Sequence, residues 1–414
     1  MANLIGGIPP HSGTDNLING TGGDDVIFGD PFTTGNFEEL PDIGGPLSSG
    51  RGGDDILFGG GGRDIIIGDA GLISSNGRGG DDLIFGGGGG GFFSGDSDND
   101  MIENARGGDD VIVGGAGNDF MTGDSGNNMS GHARGGDDVI IAGGGFNIIT
   151  GDAWFVMSGN TRGGDDRIVG GKDHDGIWGD ADDMLEQARG GDDEMYGGDG
   201  ADGFLGDART LADAARGGND RAYGGSGNDA LTGDAVEMDG TTRGGSDMLW
   251  GGAGDDIIDG DGALMVDNAR GGSDRLYGGW GNDWLFGDAE LAHGTIRCGN
   301  DILAGGSGND LMWGDADASI SDLTGVVRGD DRFVLFHRSG QDTIFDFDDD
   351  RDVIDLTGYG GITGFAQIAA HATQAGADVG IDLGAAAGRA ADVDVLTLAT
   401  FERADLDAGD FDFA

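Results

Sequence analysis

Arg106-Gly107-Gly108-Asp109-Asp110-Val111-Ile112-Val113-Gly114-Gly115-Ala116-Gly117-Asn118-Asp119-Phe120-Met121-Thr122 is the stretch whose reading decides the fold. Two glycine-rich turns, each closed by an aspartate, alternate with two short apolar runs. Gly114 to Thr122 has the form Gly-Gly-x-Gly-x-Asp-x-apolar-x. Turns of this kind direct successive carbonyls and one carboxylate toward a point, which suits a hard cation with oxygen ligands, and calcium is the natural occupant.

The stretch recurs along the chain. Copies open on Arg51, Arg78, Arg106, Arg134, Arg162, Arg189, Arg216, Arg243 and Arg270, at intervals of 27 or 28 residues, and Arg297 opens Arg-Cys-Gly-Asn-Asp. A degenerate copy at Arg328 and a partial one at Thr21 flank these ten. A fixed period of this length means a stacked array of one supersecondary unit. One apolar residue per turn forms each of two ladders. The first runs Leu57, Ile84, Ile112, Ile140, Ile168, Met195, Ala222, Leu249, Leu276 and Leu303; the second runs Ile66, Phe93, Met121, Ile149, Ile177, Phe204, Leu231, Ile258, Leu285 and Met312. Such short strands bury these residues only by stacking coil on coil at about 4.8 Å.

The last third of each copy opens on Gly-Asp and lacks the glycine spacing, as in Asp180 to Ala188 and Asp207 to Ala215. Its apolar residues lie three or four apart, so a strand and a single helical turn both remain open. A three-sided coil of about 27 residues keeps like segments over like, whereas an eighteen-residue coil would throw them out of phase. The expected fold is therefore all-β, a right-handed parallel solenoid of the β-roll or β-helix kind.

Composition agrees with an array rather than an ordinary globule. The chain has 414 residues, 95 of them glycine, and a formal charge of −55. Of the 77 acidic residues 69 are Asp and 8 are Glu, and Lys172 stands alone among 21 arginines. The short carboxylate is the one suited to tight turns. So large a charge repels itself in a compact state unless cations bind, and it argues against nucleic acid as a partner. Cys298 has no second cysteine to pair with and reads as a substituted turn glycine. No run approaches the ~18 apolar residues of a transmembrane helix. Met1 to Gly6 has no basic start or cleavable apolar stretch, so export by a cleaved leader is not expected.

The nonapeptides resemble those of the RTX (repeats-in-toxin) family over roughly residues 13 to 330. The resemblance implies a parallel β-roll with calcium in the turns, secretion and extracellular or cell-surface location. The third segment departs from a two-sided roll. Carried over residue by residue, the family's ligands are Asp55, Asp82, Asp110, Asp138, Asp166, Asp193, Asp220, Asp247, Asp274 and Asp301 in the first turn. In the second they are Asp64, Asp119, Asp175, Asp202, Asp229, Asp256, Asp283 and Asp310, with Asp15 and Asp25 as early turns. Gly91 and Asn147 interrupt this row and imply weak or absent binding there. A third row, Asp69, Asp96, Asp124, Asp152, Asp180, Asp207, Asp234, Asp261, Asp288 and Asp315, follows glycine in all ten copies, either as metal ligands or as capping or Arg-pairing carboxylates. About 20 shared divalent ions would offset roughly 40 negative charges. The stacked arginines call for carboxylates between them, an Arg–Asp ladder, or else form a ligand-binding stripe.

In an RTX roll the row Phe58, Phe85, Val113, Ile141, Val169, Tyr196, Tyr223, Trp250, Tyr277 and Ala304 would face outward as an apolar interface, unless the third segment covers it. Residues 1–50 read as N-terminal turns with a proline-containing loop at about 31 to 50, holding Pro9, Pro10, Pro31, Pro41 and Pro46, and 51–327 as ten repeats. Residues 328–414 resemble the C-terminal domain of serralysin-type RTX proteins, a cap with an acidic-apolar tail (Asp410 to Ala414) read by type I secretion machinery, or simply a closing strand. No His-Glu-x-x-His, Gly-x-Ser-x-Gly or phosphate-loop motif occurs, and the six histidines lack metal-ligand spacing. The expected function is a non-enzymatic, secreted calcium-binding protein with a structural or surface-assembly role (surface layer, filament or matrix). The alternative is a calcium-dependent module that binds cell-surface polysaccharide; a polysaccharide-modifying enzyme is the third reading.

Overall fold

The computed structural model describes the backbone of residues 3–6 and residues 17–29, 46–317, 325–389 and 392–413. Asp15, the prolines at 9, 10, 31 and 41 and most of the expected loop lie outside these. The chain divides into two compact units, Met1–Arg221 and Ala222–Ala414.

The central coils each contribute one strand to each of three parallel sheets, while on the third side the coil opened by Arg78 is held by isolated bridges such as Ile73 to Met101 and Met101 to Met129. In the first unit one coil supplies Val111–Ala116, Phe120–Thr122 and Asn128–Met129. They stack in register on the next coil, with Val111 beside Val139, Phe120 beside Ile148 and Asn128 beside Val156. The second unit repeats this with Met248–Ala253, Ile257–Asp259 and Gly262–Asp267. These meet Arg275, Trp284 and Ala289 of the following coil. The solenoid of three-sided, 27-residue coils is thus the fold. The third segment is strand, not a helical turn. Residues such as Glu103, Glu186 and Asp213 take φ near +65°, +63° and +64°, which bends the chain out of any helical continuation.

Both apolar ladders are buried, Ile112, Met121, Leu249 and Leu285 all at 0% exposure. The third side adds a row absent from the sequence reading: Ile73, Met101, Met129, Met157, Met184 and Leu211 in the first unit and Met238 and Met265 in the second, all sealed. Methionine's unbranched side chain fills a third side whose loops vary in length.

In the second unit the parallel stacking runs on into Arg332–Val334, Gln341–Ile344 and Val353–Asp355. Val395–Leu398 adds in parallel to Gln341–Ile344, and the strands Asp378–Asp382 and Ala372–Ala375 then add antiparallel. Two short helices, Phe365–His371 and Leu383–Ala386, lie in this region. Phe411–Asp412 pairs with Ile354–Asp355, so the tail ends as a strand on the sheet.

Candidate metal sites

All three aspartate rows point into the protein. Asp110 and Asp138 are 1% exposed, Asp119 1%, and Asp124 and Asp152 0%. In the first row Asp110 Oδ1 accepts the N–H of Asp82 (2.6 Å) and Asp138 Oδ1 that of Asp110 (2.7 Å). Each carboxylate thus ties its coil to the one before. In the second row Asp119 Oδ1 accepts from Gly91 (2.8 Å), and Asp283 Oδ1 from Asp256 (2.9 Å). Asp25 begins this row, its N–H donating to Asp64 Oδ1 (2.9 Å). In the third row Asp96 Oδ2 accepts from Gly108 and Asp124 Oδ2 from Gly136, both at 3.0 Å.

In most of these carboxylates one oxygen is thereby used and the other is left over, whereas Asp152 shares the Gly164 N–H between its two. Asp110 Oδ2, Asp138 Oδ2, Asp119 Oδ2, Asp96 Oδ1 and Asp124 Oδ1 are buried with no hydrogen-bond donor, and the second unit repeats this at Asp256, Asp274, Asp283 and Asp301. A buried carboxylate oxygen without a partner is costly and almost never left so. The surroundings of these atoms supply the other half of a cation site. A Cβ built on Gly95 would overlap both Asp110 Oδ2 and the Gly123 carbonyl oxygen, and one on Gly123 would overlap Asp138 Oδ2 and the Gly151 carbonyl. Carboxylate and carbonyl oxygens converge there beside a glycine, a hard donor set that fits calcium. The second row has the same layout, a Cβ on Gly114 lying 2.6 Å from Asp119 Oδ2 and 2.9 Å from the Ala142 carbonyl.

The first and third rows face each other. Burial drives the Asp124 carboxyl well above the usual range, and Asp138, Asp96 and Asp152 push it further. Asp110 is raised by burial and then by Asp96, Asp138 and Asp82. The third row therefore joins the first as a double line of carboxylates and also caps glycine N–H groups. Near the ends of the array it meets arginine: Asp315 lies 3.8 Å from Arg328, and Asp69 is among the carboxylates whose charge acts on Arg51. Among the arginines that open the repeats, Arg51 pairs with Asp54 (3.0 Å) and Asp81 (2.6 Å), whereas Arg78, Arg106, Arg134, Arg162, Arg189 and Arg216 make no ion pair among the described residues, so the expected Arg–Asp ladder is not continuous. The reason is topological, since the Gly-Asp carboxylates turn inward while the arginines stand outward.

Asn147 takes the place of a second-row aspartate, and its Nδ2 donates to Asp175 Oδ1 (2.9 Å), putting an N–H where sister coils have a free oxygen. Cys298 replaces the glycine of the Arg-Gly-Gly turn. Its sulfur and the carboxylates of Asp288 and Asp315 lie within 4.8 Å of one another. Burial, then those two carboxylates, push the thiol far above its ordinary range, so it is a poor nucleophile.

Sequence reading missed four further members of the rows. Asp301 N–H donates to Asp331 Oδ1, Asp331 N–H to Asp352 Oδ1, Asp310 N–H to Asp342 Oδ1 and Gly314 N–H to Asp346 Oδ1. The signal was there in Asp331-Arg332-Phe333 of the degenerate copy, Asp342-Thr343-Ile344 and Asp352-Val353-Ile354, which keep the Asp-x-apolar order after most of the glycines are gone.

The outward row of the first sheet is half-exposed and stacked. Phe58 lies on Phe85 at 4.9 Å in the first unit, and Tyr223, Trp250 and Tyr277 stack at 4.5 and 5.4 Å in the second. Tyr196 is held by Glu194 (2.7 Å) under the Arg167 guanidinium. The row is neither sealed nor fully open: Ile141 is exposed, Ala304 is buried and the others lie between.

The raised carboxyl values set a pH dependence in the metal-free chain. Burial lifts Asp119, Asp175 and Asp283 to about 6 and Asp310, Asp346 and Asp352 to about 7, against an ordinary value of 3.8. The fold then binds protons that the unfolded chain does not, so its stability is fullest below pH ~4 and is lost as pH rises through 6 to 7. Protein stripped of metal is expected to gain strand circular dichroism as pH falls from about 7.5 to about 4; a signal independent of pH would contradict this reading.

Comparison with known proteins agrees with the site. The family model described as RTX calcium-binding nonapeptide repeat (4 copies) matches residues 12–31, 49–71, 104–129, 132–153, 187–208, 214–235, 241–263, 268–290 and 299–319. No curated protein matches the chain. Among solved structures, the extracellular lipase LipA from Serratia marcescens aligns at 18% identity and a TM-score of 0.27. The alignment covers 78% of this chain and 40% of the lipase, so the chain spans well under half of that protein's length. Among the described residues no helix is long and apolar enough to cross a membrane.

Proposed function

The chain is an RTX calcium-binding repeat protein, and from that premise we propose that it is a secreted, non-catalytic scaffold that folds on meeting extracellular calcium and assembles laterally at a cell surface or in a matrix. Low calcium inside the cell keeps so acidic a chain extended and fit for export through a type I machinery; millimolar calcium outside fills the aspartate rows.

The observation that carries the assembly role is the stacked, half-exposed aromatic row of Tyr223, Trp250 and Tyr277, an apolar surface held rigid at coil spacing. Sedimentation velocity and negative-stain microscopy in millimolar calcium test it. Filaments or sheets that grow with protein concentration, and that Trp250→Ser with Tyr277→Ser abolishes, are the expected result. Particles that stay monomeric at every concentration would remove the assembly role and leave calcium binding untouched.

A further inference from the structure

Beyond Arg51, the outward arginine row of the first unit makes no ion pair among the described residues. Arg78, Arg106, Arg134, Arg162, Arg189 and Arg216 bridge one another in register, each stacked on the next. Backbone bonds hold the row, with Gly107 N–H donating to the Arg134 carbonyl (2.9 Å) and Gly135 N–H to that of Arg162 (2.9 Å). The side chains are exposed, and unlike Arg51 they make no ion pair among the described residues. Guanidinium groups at about 4.8 Å repel one another unless an anion lies among them.

Beside the row runs a groove free of carboxylates. One stretch, of about 490 Å³, is lined by Asn76, Arg78, Asn104, Arg106, His132 and Arg134. The next, of about 230 Å³, adds Asn160, Arg162, Gln187 and Arg189 to His132 and Arg134. In a chain with 77 acidic residues, a strip with one neutral amide or imidazole for each arginine is a local reversal of charge. Asp81, Asp109 and Asp137 line a separate cavity with the same arginines, so of the two the groove with the amides is the one suited to an anion.

We propose that this groove binds a linear anionic glycan, a chain of uronic-acid residues lying along the first unit with its carboxylates on successive arginines and its hydroxyls on the amide row. Arginine suits the task, since its planar fork takes a carboxylate through two parallel hydrogen bonds. Asn, Gln and His side chains offer both donors and acceptors, which sugar hydroxyls need and a bare ion does not. A polymer with one charge per monomer matches a wall with one arginine per coil, and several weak contacts on one rigid row add to useful affinity. The inference does not depend on lateral assembly.

The test uses the full chain folded in calcium and a glucuronic-acid hexamer, too short to gel with the ion, by titration calorimetry. Expected is binding that weakens with added salt, at least tenfold weaker in Arg134→Gln with Arg162→Gln, and unchanged in Arg167→Gln, whose arginine lies over Tyr196 on another sheet. Circular dichroism of the variants in calcium should match the parent, because these side chains are exposed. Absence of binding overturns the proposal. So does equal binding of a neutral glucose hexamer, equal or tighter binding of a single-stranded oligonucleotide, or an affinity that falls alike for Arg167→Gln and the groove variant.

Discussion

Removal of calcium at neutral pH is expected to abolish the strand signal altogether, with full recovery on adding calcium and none on adding sodium at equal ionic strength. The reason lies in the double line of buried carboxylates. Asp110 faces Asp96, Asp82 and Asp138, and Asp124 faces Asp138, Asp96 and Asp152. Unit charges about 4 Å apart repel by about 4 kcal/mol even at an effective dielectric of 20, and each coil adds another such set. No arginine intervenes, since the cationic row stands outside. Each coil seals only a few large side chains, such as Ile112, Met121 and Met129, too little to carry that repulsion as well as the ordering of 27 residues. Divalent ions shared between coils remove the repulsion and give the leftover oxygens their partner. Circular dichroism through a chelator titration checks this; an unchanged spectrum would mean that the rows are neutralised by protons alone.

Gly136→Ala should be nearly as damaging with calcium in excess. A Cβ at this position would overlap the carbonyl oxygen of Gly108 in the preceding coil. The same contact recurs at Gly108 over Gly80 and Gly164 over Gly136, so neither neighbour can yield without moving its own. The Gly136 N–H also caps Asp124, and a shift there would open the carboxylate line. The expected loss is on the order of 4 kcal/mol or more, the class reserved for a clash with backbone in a closed stack. Gly144→Ala is the control, because nothing lies within 4 Å of a Cβ there. It should stay within about 0.5 kcal/mol of the parent. Thermal melting in saturating calcium and the calcium midpoint of folding read both variants. Equal behaviour of the two would show that coil contact at Gly136 is not tight.

Much of this was legible because it is local. Asp119 and Met121 sit two residues apart in a nonapeptide whose glycines set the turn, so ligand and buried residue follow from spacing alone. Met129 was not legible in the same way, since the third segment has no glycine turn of its own and its buried residue shifts between nine and ten positions after the second turn. Asp331, Asp342, Asp346 and Asp352 escaped because their bonds to the preceding coil span 30, 32, 32 and 21 residues rather than 27 or 28.

From the sequence by itself came the period, the three-sided coil, the two apolar ladders and the turn carboxylates, all consequences of glycine geometry repeated at a constant interval. Only the tertiary structure decided which rows face one another: that Asp124 looks across at Asp138 rather than outward to an arginine, and that Arg134 and Arg162 are left beside neutral amides. Spacing along a chain fixes what each turn can bind. How the coil closes fixes which turns become neighbours, and that closure depends on the third side, where the repeat is least regular.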